Sequence, residues 1–195
     1  MARVTQAQAQ QNRERVIVEA ARLFRERGVQ GVSVTDLMAA AGLTHGGFYK
    51  RFESKEALVA EATGRAFGEL GERLTALDAR HPGDHAAARR DLLDYYFSPE
   101  HRDHAGQGCP TTAFGGDMAR EAPDSPAREP YADGVRDFAR WMGDGDEEDL
   151  VAIATMAGAL MLSRATAGTE LSDRILTAAR RSLDDRTPGQ GQLPG

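Results

Sequence analysis

The chain has 195 residues, 41% of them hydrophobic and 6% aromatic, which is enough for a real core and favours helices over sheets. Its net charge of −6 argues, taken alone, against nucleic-acid binding, and its single cysteine excludes an intrachain disulfide. The most apolar run, at residues 150–162, is too short for a membrane span. Because the N-terminus also lacks the apolar core of a signal peptide, we predict a cytoplasmic protein that does not contact a membrane.

The first predicted helix covers residues 12–27. Ile17, Ala20, Ala21 and Phe24 recur at helical spacing and form one stripe that faces the core. The preceding segment, residues 1–11, is rich in Ala and Gln, and we expect it to be a disordered arm.

Two short helices and the start of a third follow. Ser33 caps the first of them, Asp36 stands three residues later as in a capping box, and Gly42 ends the helix at positive φ. The second helix covers residues 44–52, and Ser54 caps the third. A turn of this length between two short helices is typical of the DNA-binding helix-turn-helix, whose second helix enters the major groove.

The charges along the chain agree with a DNA-binding N-terminal part. Residues 1–55 carry nine Lys and Arg against five Asp and Glu, whereas the remainder carries fifteen against twenty-five. A basic module on an acidic body is the charge pattern to look for in such a protein. The predicted exposed surface of the second short helix is polar, basic and aromatic, and consists of His45, Gly46, Tyr49, Lys50 and Arg51.

A more specific pattern is spread over residues 13–60, in Gly28, Asp36-Leu37, Ala40-Ala41-Gly42, Gly46, Phe48-Tyr49, Phe52 and residues 54–58. In these positions the chain resembles the DNA-binding domain of the TetR/AcrR family of bacterial transcriptional repressors. The resemblance implies a homodimer that binds a near-palindromic double-stranded DNA operator. It also implies release of that operator when a small-molecule inducer or an electrophile acts on the C-terminal domain.

The resemblance further implies roles for individual side chains. Thr44, His45 and Gly46 begin the recognition helix and would meet base edges. Phosphates would be contacted by residues that position the protein without reading sequence, namely Ser33, Tyr49, Lys50 and Lys55. Two features depart from the family. His45 stands where Lys is common, and Gly46 and Gly47 each cost the helix about 1 kcal/mol relative to Ala.

The rest of the chain predicts six helices, with Asp84, Asp146 and Ser172 as N-caps of three of them. They cover residues 55–77, 85–97, 110–120, 130–142, 147–167 and 173–183. A polar loop is predicted at 100–108 and a disordered tail at 186–195. We therefore predict an all-α protein of about nine helices. It would have a three-helix helix-turn-helix head at 12–58 and a helical ligand-binding and dimerisation body at 59–185.

The resemblance implies an inducer pocket in this body. The candidate lining residues are Tyr95, Tyr96, Cys109, Phe114, Met118, Phe138 and Trp141, although a cluster of aromatic residues and Met can equally be plain core. The last two long helices carry small and large apolar residues and would pair with their copies in a second chain. The alternative is that these faces belong to the core of the monomer.

Cys109 is predicted to precede a helix that starts at Pro110, a position that favours the thiolate. The Gly-Cys-Pro sequence resembles a subset of the family that responds to electrophiles or oxidants, whereas the simpler interpretation is a small, semi-buried residue. His101, His104 and Cys109 could in principle hold Zn or Cu, but their spacing is a weak signature, and we predict no metal and no cofactor. An enzyme using Cys109 is disfavoured because no oriented base accompanies it. A DNA-binding regulator without ligand response stays possible.

Overall fold

Nine α-helices and two 3-10 turns make up the described part of the chain, residues 6–143 and 147–184 of a computed structural model, and that part contains no strand. The helices are α1 (Gln6–Arg27), α2 (Val34–Ala40), α3 (Lys55–Arg80), α4 (His85–Tyr96), α5 (Pro99–Asp103), α6 (Pro110–Arg120), α7 (Arg128–Met142), α8 (Leu150–Ala165) and α9 (Glu170–Asp184). The 3-10 turns lie at His45–Gly47 and Ala105–Gln107. The all-α prediction is confirmed. Among these helices, none has both the length and the apolar character that crossing a bilayer requires.

The described residues group into two units by their contacts, and α6 belongs to the same unit as the N-terminal helices. The first unit comprises residues 6–70 and 105–134. Its core receives the predicted α1 stripe together with Leu37 and Met38 of α2, and Phe114 and Met118 of α6. Because these side chains are almost fully removed from water, their burial is the main force that holds the unit together.

A network of charges around the buried Arg25 fastens α1 to α3 within the first unit. The guanidinium of Arg25, whose side chain is only 4% exposed, lies 2.8 Å from Glu69, and Arg65 lies 3.1 Å from the same carboxylate. Burial alone would raise the pKa of Glu69, but the hydrogen bonds from the two guanidiniums outweigh it and lower that pKa. Removing Glu69 would leave Arg25 as an uncompensated buried charge, so the network ties the middle of α3 to the last turns of α1.

The second unit comprises residues 71–104 and the described residues from 135 onward, and α8 packs against α9 in it. Ser163 and Ser172 meet between these two helices at 2.9 Å, and both are buried. Arg102 of α5 reaches Asp173 of α9 at 2.7 Å, while Arg164 of α8 donates to the carbonyls of residues 101 and 102. The short α5 is therefore held by polar contacts with both long helices.

The predicted disordered arm at 1–11 is wrong for residues 6–11, which are the first turns of α1. Ala and Gln tolerate the helix well, and Gln8 donates to Asn12 one turn later at 3.1 Å. Residues 1–5 lie outside the described residues, and so does the predicted tail at 186–195.

The predicted loop at 100–108 is also wrong, because it contains α5 and the second 3-10 turn. Ser98 and Pro99 end α4 as predicted, but Ser98 also accepts from the His101 N–H and so caps the next helix, with Pro99 at its first position. Ser172 does not cap α9 but lies inside it. Helix α8 begins at Leu150 with Asp149 as its cap, and the predicted cap Asp146 lies outside the described residues.

Candidate nucleic-acid interface

The segment between α1 and α2 presents α2 in a fixed orientation. Gly28 adopts φ +72°, where a residue with a side chain would be strained, and its N–H donates to Phe24 O. Ser33 then caps α2 with the complete capping box, since Asp36 N–H donates to its hydroxyl oxygen and the Asp36 carboxylate accepts from the Ser33 N–H. The Ser33 hydroxyl also donates to the Asp36 carboxylate, and this bond together with that from the Ser33 N–H lowers the pKa of Asp36.

Helix α2 ends at Ala40 because Gly42, two residues later, adopts φ +69°, outside the helical region. Leu43 N–H donates to Met38 O at 2.8 Å and Gly42 N–H to Ala39 O at 3.0 Å, the two bonds of a Schellman motif. The motif reverses the chain immediately after the helix. It leaves Leu43 half-buried against the core and begins the segment that follows with Thr44.

The reading segment, residues 44–52, does not form the regular helix that the sequence predicts. Only His45–Gly47 form a 3-10 turn, and hydrogen-bonded turns continue to Phe52. The adjacent glycines lack side chains that would restrict the backbone, and this weakens helix formation. The segment is held instead by Phe48 and Phe52, which are 0% and 3% exposed in the core of the first unit.

Arg51 covers the inner side of the reading segment. Its Nη1 donates to Gly47 O at 2.6 Å, and a Cβ at residue 47 would lie 2.6 Å from that nitrogen. Arg13 of α1 braces the end of the segment, because its guanidinium lies 5.0 Å from the ring centre of Phe52 and donates to the Arg51 carbonyl. The two arginines therefore stabilise the segment from within and leave its outer face open.

Five of the seven predicted DNA contacts lie together on this outer face: Thr44, His45, Gly46, Tyr49 and Lys50 are all exposed, and Tyr49 is 70% exposed. The other two are already engaged within the protein. The Ser33 hydroxyl donates to Asp36, and Lys55 is half-buried with its ammonium 2.7 Å from Val29 O. The sequence did not single out Thr35, whose hydroxyl lies 3.2 Å from His45 Nδ1. Its exposed position in the first turn of α2 was the available signal.

The predicted pocket residues divide between the two units. In the first unit, Phe114 and Met118 belong to the core, and Cys109 is 4% exposed at the N-cap of α6. Tyr131 lies near it and donates from its hydroxyl to Thr111 O, and burial, with a smaller contribution from Cys109, raises the pKa of Tyr131 to about 12. A small cavity of about 60 Å³ in the same unit is lined by none of the predicted pocket residues; its lining includes Val29, Lys55, Val59 and Glu121.

The remaining predicted pocket residues lie in the second unit. Tyr95 and Tyr96 both contact the ring of His101, which is 2% exposed, while Phe138 is buried and Trp141 donates to Asp78 at 2.7 Å. Burial, with a smaller contribution from nearby arginines, lowers the pKa of His101 to about 4, so the ring is neutral at pH 7. Its Nδ1 donates to Tyr96 O at 2.8 Å. Among the described residues, no group of three potential metal ligands forms, and this includes His101, His104 and Cys109.

Exposed apolar side chains are concentrated on α8 and α9. Five of the seven large hydrophobic residues exposed in the described chain lie there, each about half exposed: Leu150, Val151, Met161, Leu162 and Leu171. Exposed apolar residues so concentrated on two helices are typical of protein–protein interfaces.

Comparison with known proteins finds relatives of this chain. The family model for "Bacterial regulatory proteins, tetR family" matches residues 16–62, from the middle of α1 into α3. The transcriptional regulator AcrR of Shigella flexneri is 34% identical over 93 residues, which are 48% of this chain and 43% of AcrR. The matched part therefore spans less than half of that relative.

Two further similarities extend over most of the chain. The transcriptional repressor DhaR of Mycobacterium sp. (strain GP1) is 27% identical over 187 residues, which cover 88% of this chain and 91% of DhaR. The crystal structure of a TetR transcriptional regulator from Chloroflexus aurantiacus superposes with a TM-score of 0.67 at 28% identity, covering 91% of this chain and 96% of that one. The similarity thus includes the helices after the reading segment.

Proposed function

We propose that this chain, which belongs to the TetR/AcrR family of bacterial transcriptional regulators, is a dimeric repressor that binds an operator through its reading segment and releases it in response to a small molecule. The observation that carries the proposal is the outer face of residues 44–52. There an imidazole, a phenol and an ammonium are exposed on a short turn whose inner residues are locked in the core. A rigid frame with exposed polar and basic side chains is what insertion into the major groove requires.

The individual roles follow from position. Thr44 and His45 begin the segment and would meet base edges, and Gly46 would let the backbone approach the DNA closely. Tyr49 and Lys50 lie further along and would contact phosphates. Ser33 and Lys55 would contact phosphates through neighbouring backbone groups. Their side chains would do so only after exchanging their internal hydrogen bonds for bonds to phosphate oxygens.

Dimerisation would cover the exposed apolar faces of α8 and α9. Pairing these helices with their copies would form a four-helix bundle. A two-fold axis would also supply the second reading segment that a short element of this kind needs, because the half-sites of such operators lie about 34–36 Å apart, one turn of DNA.

The proposed response to a small molecule depends on α6. This helix contributes Phe114 and Met118 to the core that also holds the reading segment. A ligand that binds better to another arrangement of α6 would shift the population away from the DNA-binding form. DhaR, which is similar over most of the chain, is described as a repressor, and this supports repression over activation.

The test is selection of bound fragments from genomic DNA, followed by footprinting and affinity measurement at several salt concentrations. A protected near-palindrome is expected, with an affinity that falls steeply as salt rises. Lys50→Ala should weaken binding to all sequences and reduce the salt slope by about 2 per dimer, since each lost phosphate contact contributes about 0.9.

Arg90→Ala is the matched control, because it removes an exposed cation from α4 in the second unit. It should leave the salt slope unchanged. Equal effects of the two substitutions, or the absence of any protected sequence, would contradict the proposed function.

A further inference from the structure

Thr35 and His45 come from different parts of the helix-turn-helix but meet on its exposed side. Thr35 lies in the first turn of α2, His45 begins the reading segment, and the Oγ1–Nδ1 distance is 3.2 Å. Both residues are exposed. The contact therefore joins two elements at the face proposed to meet DNA, and it is not needed to fill the core.

Within the described part of the chain, the Thr35 hydroxyl is the hydrogen-bond partner of the His45 imidazole. The Thr44 side chain makes no capping hydrogen bond, and no atom lies within 4 Å of the place where Gly46 would carry a Cβ. Among the described residues, the other ring nitrogen of His45, Nε2, has no hydrogen-bond partner. It remains available for a ligand while Nδ1 is held.

The hydrogen bond to Nδ1 decides what Nε2 can do. In a neutral imidazole one nitrogen carries a proton and the other a lone pair, and the partner of one nitrogen fixes the state of the other. The contact admits two arrangements; we take the one in which the rotatable hydroxyl of Thr35 donates to the lone pair of Nδ1. Nε2 then carries the proton and presents an N–H.

We propose, on the basis of the DNA binding proposed above, that Thr35 is a positioning residue that fixes His45 as an Nε2–H donor to the N7 atom of a purine in the major groove. N7 is a lone-pair acceptor on both adenine and guanine, whereas cytosine presents a donor at its major-groove edge. The pair thus disfavours cytosine at one position of each half-site; because thymine O4 is also an acceptor, the 7-deaza substitution is what identifies the purine. Gly46 adds no side chain that would compete for the same base edge.

The experiment uses the full-length dimer and the operator fragment obtained by selection. Each purine of one half-site is replaced in turn by its 7-deaza analogue, in which a C–H replaces N7, and affinities are measured at about pH 8. At one position the wild-type protein should lose affinity by about two- to tenfold, the range for one hydrogen bond. The His45→Ala protein should show no loss at that position.

Two substitutions at residue 35 separate the hydroxyl from the shape of the side chain. Thr35→Val keeps the shape and removes the donor, and it should diminish the effect of the analogue. Thr35→Ser keeps the hydroxyl and should respond as the wild type does. Nitrogen NMR shifts of histidine-labelled free protein give an independent readout, in which Thr35→Val should lower the fraction of the Nε2–H tautomer at His45.

The outcomes distinguish this inference from the proposed function. Specific operator binding with no 7-deaza effect that depends on His45 would overturn the inference alone, as would a Thr35→Val protein that behaves like the wild type in both measurements. Failure to bind any specific sequence would overturn the proposed function as well.

Discussion

Asp117 should be the residue of α6 on which the helix-turn-helix depends most directly. Its carboxylate accepts from the Val29 N–H at 2.9 Å, across 88 positions of sequence, and the two residues are 8% and 3% exposed. Asp117→Ala would leave that N–H buried without a partner, which costs about 1–3 kcal/mol. Because the native acceptor is charged, we expect a loss of about 2 kcal/mol in the free energy of unfolding.

The assay is urea unfolding of full-length variants at one protein concentration, followed by operator affinity under conditions where each variant is folded. Asp117→Asn retains an acceptor oxygen and should lose about half as much stability as Asp117→Ala. Arg120→Ala removes the 71%-exposed partner of Asp117 and should cost about 0.5 kcal/mol or less, as is usual for a surface ion pair.

The reasoning would be refuted if Asp117→Ala were no more harmful than Arg120→Ala, because the buried hydrogen bond would then contribute nothing. Where Asp117→Ala is destabilised as expected, its operator affinity should also fall, since Val29 lies in the segment that leads into α2. Unchanged affinity would show that this segment does not position the reading segment.

Three further predictions use the same unfolding and binding assays. Because burial lowers the pKa of His101 to about 4 from the ordinary 6.5, the unfolded chain takes up the proton first. The contribution of neutral His101 to the free energy of unfolding is therefore complete above pH 6.5 and is lost as the pH drops toward 4. From pH 7 to 5 the wild type should lose about 2 kcal/mol more of that free energy than His101→Asn. Equal losses would disprove the assignment. Gly46→Ala should stabilise the protein by about 0.5–1 kcal/mol yet weaken operator binding, whereas Gly47→Ala, which displaces Arg51, should bring no such gain; identical gains would contradict the Arg51 contact. Alkylation of the buried Cys109 should be slow in the native protein and should weaken DNA binding in the wild type but not in Cys109→Ser, and an equal response of both proteins would exclude a sensor role.

Local signals predicted the helix ends because capping is a matter of a few adjacent residues. Ser33, Ser54 and Asp84 all accept the N–H three residues later, and Gly42 adopts the expected positive φ. The same logic failed at Ser98, where a residue that ends one helix also begins another. The same residue types, here Ser followed by Pro, can end one helix or begin the next, and only the structure shows which of the two they do.

The exposure of the candidate site residues was predictable where they are continuous in sequence, whereas contacts between distant residues were not. The exposed side chains of the reading segment were identified because they follow one another in the chain. The helical spacing of Phe114 and Met118 indicated burial but not which neighbours they would have, and they belong to the core of the first unit. The contact between Thr35 and His45 spans the turn after α2, and the periodicity of the sequence does not predict the geometry of that turn.

The membership of α6 in the first unit has a consequence for how the protein is made. Phe114 and Met118, at 0% and 4% exposure, complete a core whose other members come mainly from the first 66 residues. A nascent chain that has emerged only through α3 lacks those two side chains, and truncating such residues commonly costs about 2–5 kcal/mol each. Because units of this kind fold as wholes, the proposed DNA-binding surface reaches its final stability only after residues 105–134 have left the ribosome. A fragment that ends before them should bind DNA weakly even with its entire helix-turn-helix present.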